Sequence, residues 1–271
     1  MDVDRRAAGV PGAPVLTAFG CTGGPVPLAG GRGTAWRCGD LVLKPLDGHP
    51  DAVAWAAGAL GAGPRSHDVR WSSPVRSVEG ELVVEGWTAW TWVEGRHQQR
   101  RWAEAMRAGE AFAAALAGLP RPPFLDARTD PWAVADRAAW GEHVVPGADD
   151  VPEIRALRAA LRPVHLPAQV VHGDLTGNVL LAAGLPPAVI DPSVYWRPVG
   201  YGSAVVVVDA LASGGATVDL LSAPGARDEL PQLLLRAALF RMLTDRVAGA
   251  PPSARTPWAA VVPTLLRLAG A

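Results

Sequence analysis

The stretch Gln169-Val-Val-His-Gly-Asp-Leu-Thr-Gly-Asn-Val-Leu-Leu181 sets His172, Asp174 and Asn178, with Thr176, between two short apolar runs, in a region whose flanks otherwise read as helix. Its aliphatic and β-branched residues make both runs strand candidates, so His172, Asp174 and Asn178 fall at strand ends. A further apolar run, Ala188 to Ile190, ends in Asp191. Val179 to Leu181 and Ala188 to Ile190 can pair as a hairpin across Ala182 to Pro187, which would bring Asn178 and Asp191 together at its open end. One carboxylate and one carboxamide oxygen, with coordination sites left for water and phosphate, is what Mg2+ carrying a nucleotide requires. Asp174, just upstream, would face the same space.

Helical patterns surround this island. Between Arg100 and Leu119, the residues Trp102, Met106, Phe112, Leu116 and Leu119 recur at helical spacing, and Pro120 closes the run. Asp130-Pro131 has the N-cap and first-turn chemistry for a helix reaching Trp140, while Ile154, Leu157 and Leu161 mark another that stops at Pro163. Further on, Asp228 can cap a long helix from Glu229 to about Ala248, and Thr256-Pro257 starts a last one. The N-terminal third reads differently. Pro25 to Leu28 and Thr34 to Cys38 are short strands flanking Ala29-Gly-Gly-Arg-Gly33, and Gly39-Asp40 turns the chain into Leu41-Val-Leu-Lys44. A short helix is expected from Pro50-Asp51 to about Leu60, then a second hairpin with Val75 to Val78 and Leu82 to Glu85 as its strands around Glu79-Gly80. The expected fold class is α+β, a β-rich lobe over residues 1–93 and a helical lobe over residues 94–271.

Composition narrows the function classes. Of 271 residues, 49% are hydrophobic and 19% charged, which excludes wholesale disorder. A net charge of -1 supplies no basic field for phosphate backbones, so a nucleic-acid partner is not expected. Two cysteines make neither a disulfide framework nor a four-ligand zinc site, and a reducing, cytoplasmic setting fits them. The longest strictly apolar run, Ala111 to Ala117, falls short of the roughly 20 residues a membrane span needs, and Met1 to Gly12 lacks the apolar core of a secretion signal. Among the 25 basic residues, Lys44 is the one lysine. Against that background it marks a position where a guanidinium does not replace a compact ammonium.

His172-Gly173-Asp174 with Asn178, then Asp191 after an apolar strand, with a Gly-rich hairpin and a strand lysine far upstream, resembles the aminoglycoside phosphotransferase branch of the protein-kinase-like fold. The order of elements matches from about Pro25 to Leu243. The resemblance implies a two-lobed small-molecule kinase in which Asp174 is the catalytic base or hydroxyl-orienting group, and Asn178 and Asp191 are the Mg2+ ligands. It implies that Lys44 meets the α- and β-phosphates of ATP or another nucleoside triphosphate, with Gly30, Gly31 and Gly33 covering them. Thr88 to Val93, including Ala89, Trp90 and Trp92, would be the interlobe hinge whose backbone meets adenine, although Trp87, Trp90 and Trp92, interleaved with polar or small residues, read from the sequence as a half-buried strand or hinge whose indoles pack in the core. Tyr195, Trp196 and Arg197 come directly after Asp191, in the segment that borders the acceptor pocket in this family.

Three departures from the family pattern stand out. Only Leu175-Thr176-Gly177 separates Asp174 from Asn178, where the usual catalytic loop has four residues. The helix from Asp51 to Leu60 contains no glutamate to pair with Lys44, and Asp191 is followed by Pro192-Ser193, which stiffens the loop. His172 reads as a packed, loop-shaping residue, and Asp209, inside the apolar run Val205 to Leu211, is either a surface charge or an acid with a partner, which the resemblance implies to be backbone amides of the catalytic loop. Arg121 to Arg162 holds seven acids and six arginines with no concentrated negative patch, which fits an acceptor with few amines better than a polycation. The reading is therefore phosphoryl transfer to a hydroxyl of a sugar, amino sugar or aminoglycoside-like compound. The alternative is a pseudokinase that binds nucleotide or ligand without turnover. Oligomeric state is not legible in the sequence.

Overall fold

Gly39 takes a positive φ of 58° and lets Gly39-Asp40 close a two-residue turn between β2 (Trp36–Cys38) and β3 (Leu41–Pro45), with Cys38 opposite Leu41 and Trp36 opposite Leu43. The computed structural model describes residues 9–29, 33–61, 66–212, 215–217, 220, 229–249 and 258–271. Contacts within the chain divide it into two units, residues 1–96 with 180–191, and residues 97–179 with 192–271.

In the first unit, α1 (Ala13–Ala18) precedes β1 (Val26–Pro27), and the meander β1, β2 and β3 forms as the sequence predicts. The helix α2 (Pro50–Ala56) starts behind His49, whose Nδ1 accepts the Asp51 N–H at 3.2 Å, and a π turn, Ala57–Gly61, carries the winding on to Gly61. After β4 (Arg70–Trp71) come β5 (Pro74–Val75) and β6 (Trp87–Thr91), giving a five-stranded sheet in the order β1-β2-β3-β6-β5. The expected second hairpin does not form. Ser77 to Glu81 is a tight turn, with the Gly80 N–H donating to Ser77 O, and the Val78 N–H donates to Ala18 O on α1. Positive φ at Glu85 and Gly86 then reverses the chain, so that the strand begins at Trp87. Alternation of side chains puts Leu43 and Ala89 on one face, in a core with Val15, Phe19 and Cys38, and puts Lys44, Thr88 and Trp90 on the other.

The expected lobe boundary also moves. β7 (Arg96–His97) and β9 (Val179–Leu181) each straddle the division between the units, and β10 (Ala188–Val189) pairs in parallel with β4, Ala188 opposite Arg70. Arg70 adds its backbone N–H to Pro187 O at 2.8 Å and its Nε to Pro186 O at 2.9 Å. These bonds tie residues 180–191 to the β-rich unit, although the sequence order placed them with the helices.

The second unit contains α3 (Trp102–Ala115), α4 (Phe124–Ala127), α5 (Pro131–Ala139), α6 (Pro152–Ala159), β8 (Ala168–His172), β11 (Val194–Pro198), α7 (Gly200–Ala212), α8 (Leu230–Val247) and α9 (Trp258–Leu268). Asp130 caps α5 as its sequence predicts, accepting the Ala133 N–H at 3.0 Å. Asp228, Thr256 and Pro257, expected at the starts of the last two helices, lie outside the described residues. β8 and β11 pair antiparallel with His172 opposite Val194 and Tyr195 opposite Val171. Phe112, Leu175, Tyr201, Leu235 and Leu239 are fully buried at the centre of the unit. No helix among the described residues is long and apolar enough to cross a membrane.

Candidate active site

The N-terminal unit brings together two charged residues 147 positions apart: Lys44 Nζ lies 2.6 Å from Asp191 Oδ1. Lys44 leaves the sheet on the face opposite the core, and its ammonium also sits 4.3 Å from the centre of the Trp90 ring. The indole is held in turn, since Trp90 Nε1 donates to Thr88 Oγ1 at 3.0 Å and that hydroxyl donates to Lys44 O at 3.1 Å. Asp191 has φ 51°, a left-handed conformation uncommon outside glycine though one aspartate adopts more often than most residues, and Pro192 follows it. Its carboxylate remains 67% exposed while paired. The missing helix glutamate is therefore replaced as a lysine partner by Asp191, and Asp51 lies instead beside His49, 3.5 Å away.

The C-terminal unit holds the loop from His172 to Asn178. Asp174 is fixed at three points. Its N–H donates to His172 Nδ1 at 3.1 Å, its carbonyl accepts Asn178 Nδ2 at 2.7 Å, and its Oδ1 accepts Arg241 Nη2 at 2.7 Å. His172 is 1% exposed, which bears out its packed, loop-shaping role. Arg241 continues to Asp209, with Nε to Oδ1 at 2.8 Å and Nη2 to Oδ2 at 2.6 Å. Burial works against the Arg241 charge, but the two carboxylates outweigh it and raise the guanidinium pKa. The loop also needs two glycines on neighbouring helices. A Cβ on Gly202 of α7 would stand 2.6 Å from His172 O, and one on Gly109 of α3 would overlap the Leu175 side chain.

Asp174, Asn178 and Arg241 share one unit, and Lys44, Trp90 and Asp191 share the other. Gly33 has φ 68°, while Gly30 and Gly31 lie outside the described residues. The expected hinge is corrected. Ala89 and Trp90 are interior positions of β6, Ala89 opposite Leu43 and Val75 and Trp90 opposite Val42 and Pro74, while the Trp92 N–H donates to Asp40 O at 2.7 Å. The main chain of Ala89 and Trp90 is committed to neighbouring strands, so it is not a free edge for adenine. Trp90 reaches the site through its ring, and the Trp92 ring stacks under Arg37, 4.1 Å from the guanidinium carbon.

The segment after Asp191 serves mixed ends. Tyr195 is 3% exposed and its ring is seated against Gly173, so that burial pushes its phenol up to about 12. Arg197 clamps Asp136, Nη2 to Oδ2 at 2.6 Å, and Glu142, Nη1 to Oε1 at 2.6 Å, which makes it a structural tie between β11 and α5. Trp196 is half-buried. All three line a cavity of about 180 Å3 whose other walls include Arg121, Arg128 and Arg137.

Arg241 was missed in the sequence. Its signal was available: an arginine inside the apolar run Leu239-Phe-Arg-Met-Leu243, and an aspartate inside Val205 to Leu211, each needing a partner of opposite charge.

Residues 51–193, just over half of the chain, match the sequence pattern of the phosphotransferase enzyme family. A thermostable mutant of aminoglycoside phosphotransferase APH(4)-Ia, in a ternary complex with AMP-PNP and hygromycin B, superposes with a TM-score of 0.58 at 14% identity, covering 94% of this chain and 97% of that one. An aminoglycoside phosphotransferase from Alicyclobacillus acidocaldarius gives 0.56 at 14% identity, covering 98% and 96%. No curated protein matches. The chain belongs to the phosphotransferase enzyme family, and its α+β fold is the protein-kinase-like one.

Proposed function

We propose that this member of the phosphotransferase enzyme family moves the γ-phosphoryl group of ATP, or of another nucleoside triphosphate, to a hydroxyl of a small molecule in the cytoplasm. The observation that carries the reading is the 2.6 Å pair of Lys44 with Asp191, because it joins the lone lysine to the carboxylate expected at the metal. Lys44 is then the group that meets the α- and β-phosphates, where a compact ammonium neutralises charge without blocking the metal. Gly33, with Gly30 and Gly31, covers the phosphates. Asp174 accepts the hydrogen bond of the acceptor hydroxyl, orients its oxygen towards the γ-phosphorus, and takes the proton as that bond forms and the bridge to the nucleoside diphosphate breaks.

Asp191 and Asn178 each offer an oxygen donor of the kind Mg2+ takes. Asp191 offers an exposed carboxylate in a strained backbone conformation, a condition found where function fixes geometry. Asn178 commits its Nδ2 to Asp174 O, which leaves the hard carboxamide oxygen as its ligating atom. When bound, the ion would neutralise charge on the transferring phosphates.

The acceptor is a sugar, amino sugar or aminoglycoside-like compound with few amines. Support comes from the cavity beside Trp196, whose two lining carboxylates, Asp136 and Glu142, are both taken up by Arg197 and so form no concentrated negative patch for a polycation. Trp196 supplies a flat apolar face to its ring. A second reading, nucleotide binding without turnover, is favoured by the three-residue spacing of Asp174 and Asn178 and by the glutamate-free α2. A panel of hydroxylated metabolites and antibiotics with Mg-ATP and coupled detection of ADP separates them. The proposal expects acceptor-dependent ADP release. Thermal stabilisation by Mg-ATP with no release over the whole panel favours the second reading.

A further inference from the structure

Asp174 and Asp209 come from different elements, the loop after β8 and the helix α7, yet both carboxylates rest on one guanidinium from α8. The fork is what makes this geometry specific. Nε and Nη2 of Arg241 grip the two oxygens of Asp209, which sets the plane of the guanidinium. With that plane set, the remaining Nη2 hydrogen points in one direction only, and Asp174 Oδ1 receives it at 2.7 Å. The side chain of Arg241 is 17% exposed and that of Asp209 14%, whereas Asp174 is 37% exposed. The anchoring end is thus enclosed by α7 and α8, and the anchored carboxylate faces outward. Backbone bonds to His172 and Asn178 already fix the main chain of Asp174, so the Arg241 contact removes the freedom that remained, rotation of the carboxylate.

We propose that Arg241, braced by Asp209, is a positioning residue that occupies Asp174 Oδ1 and leaves Oδ2 as the oxygen presented to the acceptor hydroxyl. The inference rests on the reading of Asp174 as the hydroxyl-orienting group. A lysine at 241 keeps the charge but has no planar fork, so it cannot hold both carboxylates in one fixed geometry. Loss of orientation lowers turnover, while nucleotide binding, which uses other residues, is unaffected.

The test compares wild-type protein with Arg241→Lys, Asp209→Asn and Asp174→Asn. It measures Mg-ATP turnover with water as the acceptor, Mg-ATP affinity by calorimetry, and the thermal midpoint. Arg241→Lys is expected to lose roughly tenfold or more in kcat with Mg-ATP affinity unchanged within about threefold. Asp209→Asn is expected to lose less, in the same direction, because Arg241 keeps one carboxylate. Wild-type kcat in Arg241→Lys, or a parallel loss of kcat and Mg-ATP affinity, overturns the inference. Should Arg241→Lys fail to fold, Asp209→Asn decides: a lowered kcat at unchanged affinity supports the brace, and wild-type kcat overturns it. Full turnover in Asp174→Asn sinks the parent reading instead, whatever the Arg241 variants do.

Discussion

Lys44 with Asp191 and Asp174 with Arg241 and Asp209 are both charge clusters, but they are built differently. The first is an open pair: the Asp191 carboxylate is 67% exposed, and its partner rests on an indole face. The second is a network closed by two helices, in which each carboxylate of the pair shares a guanidinium that is mostly buried. An exposed pair contributes little stability, and under the proposed function it would exchange partners when phosphate and metal arrive. A buried network holds its geometry, because removing one member leaves an uncompensated charge. The molecule thus separates an open charge pair from an enclosed network that holds a side chain still.

The sharpest way to break that contrast is at Asp191. Asp191→Asn should abolish Mg2+-dependent turnover with the fold intact, whereas Asn178→Ala should leave activity that extra Mg2+ partly restores. Steady-state assays across a Mg2+ titration check this, and equal, unrescued losses would erase the difference between the ligands. Next comes Lys44→Arg, expected to lose at least roughly tenfold in turnover, about 1.4 kcal/mol, with little change in thermal midpoint because the pair is open.

The closed region should answer in stability. Gly202→Ala drives a Cβ against His172 O and should cost about 1 to 3 kcal/mol in denaturant unfolding. Unchanged stability would mean that the loop is not pressed against α7. The smallest effect is at the α5 cap. Burial raises the Asp130 carboxyl, and Arg128 more than offsets it, so the net pKa lies below the usual carboxylate range. That stabilisation is present above the unfolded value of about 3.9 and is lost as pH falls through the folded value. Asp130→Ala should therefore cost about 1 kcal/mol at neutral pH, with the gap to wild type narrowing below about pH 4 in acid titrations.

The same contrast explains what the sequence made legible. The β1 to β3 meander is written in its turn residues, and Lys44, Asp174 and Asp191 stand out because a lone lysine and acids at strand ends leave local marks, while their pairings in the structure, Lys44 with Asp191 and Asp174 with Arg241, do not. Indoles among small residues suit a half-buried strand as well as a connection, and the pairing of β6 with β3 and β5 decides for the strand at Ala89 and Trp90. The hairpin at Val75 was misjudged because the Val78 N–H is claimed by α1, a partner distant in sequence. Arg241 and Gly202 escaped for a similar reason. Each acts through a close approach between elements that no local pattern encodes. Arg197, expected to face an acceptor, spends its guanidinium on Asp136 and Glu142, contacts that require α5 to be packed against β11.

The account depends most on Asp174. The direct measurement is turnover and nucleotide affinity for wild type and Asp174→Asn side by side, with Mg-ATP and an acceptor drawn from the hydroxyl panel. Loss of a group that positions a hydroxyl and takes its proton should lower kcat by about 10²- to 10⁴-fold and leave Mg-ATP affinity nearly unchanged. Equal turnover in the two proteins would contradict the central claim that this carboxylate directs phosphoryl transfer.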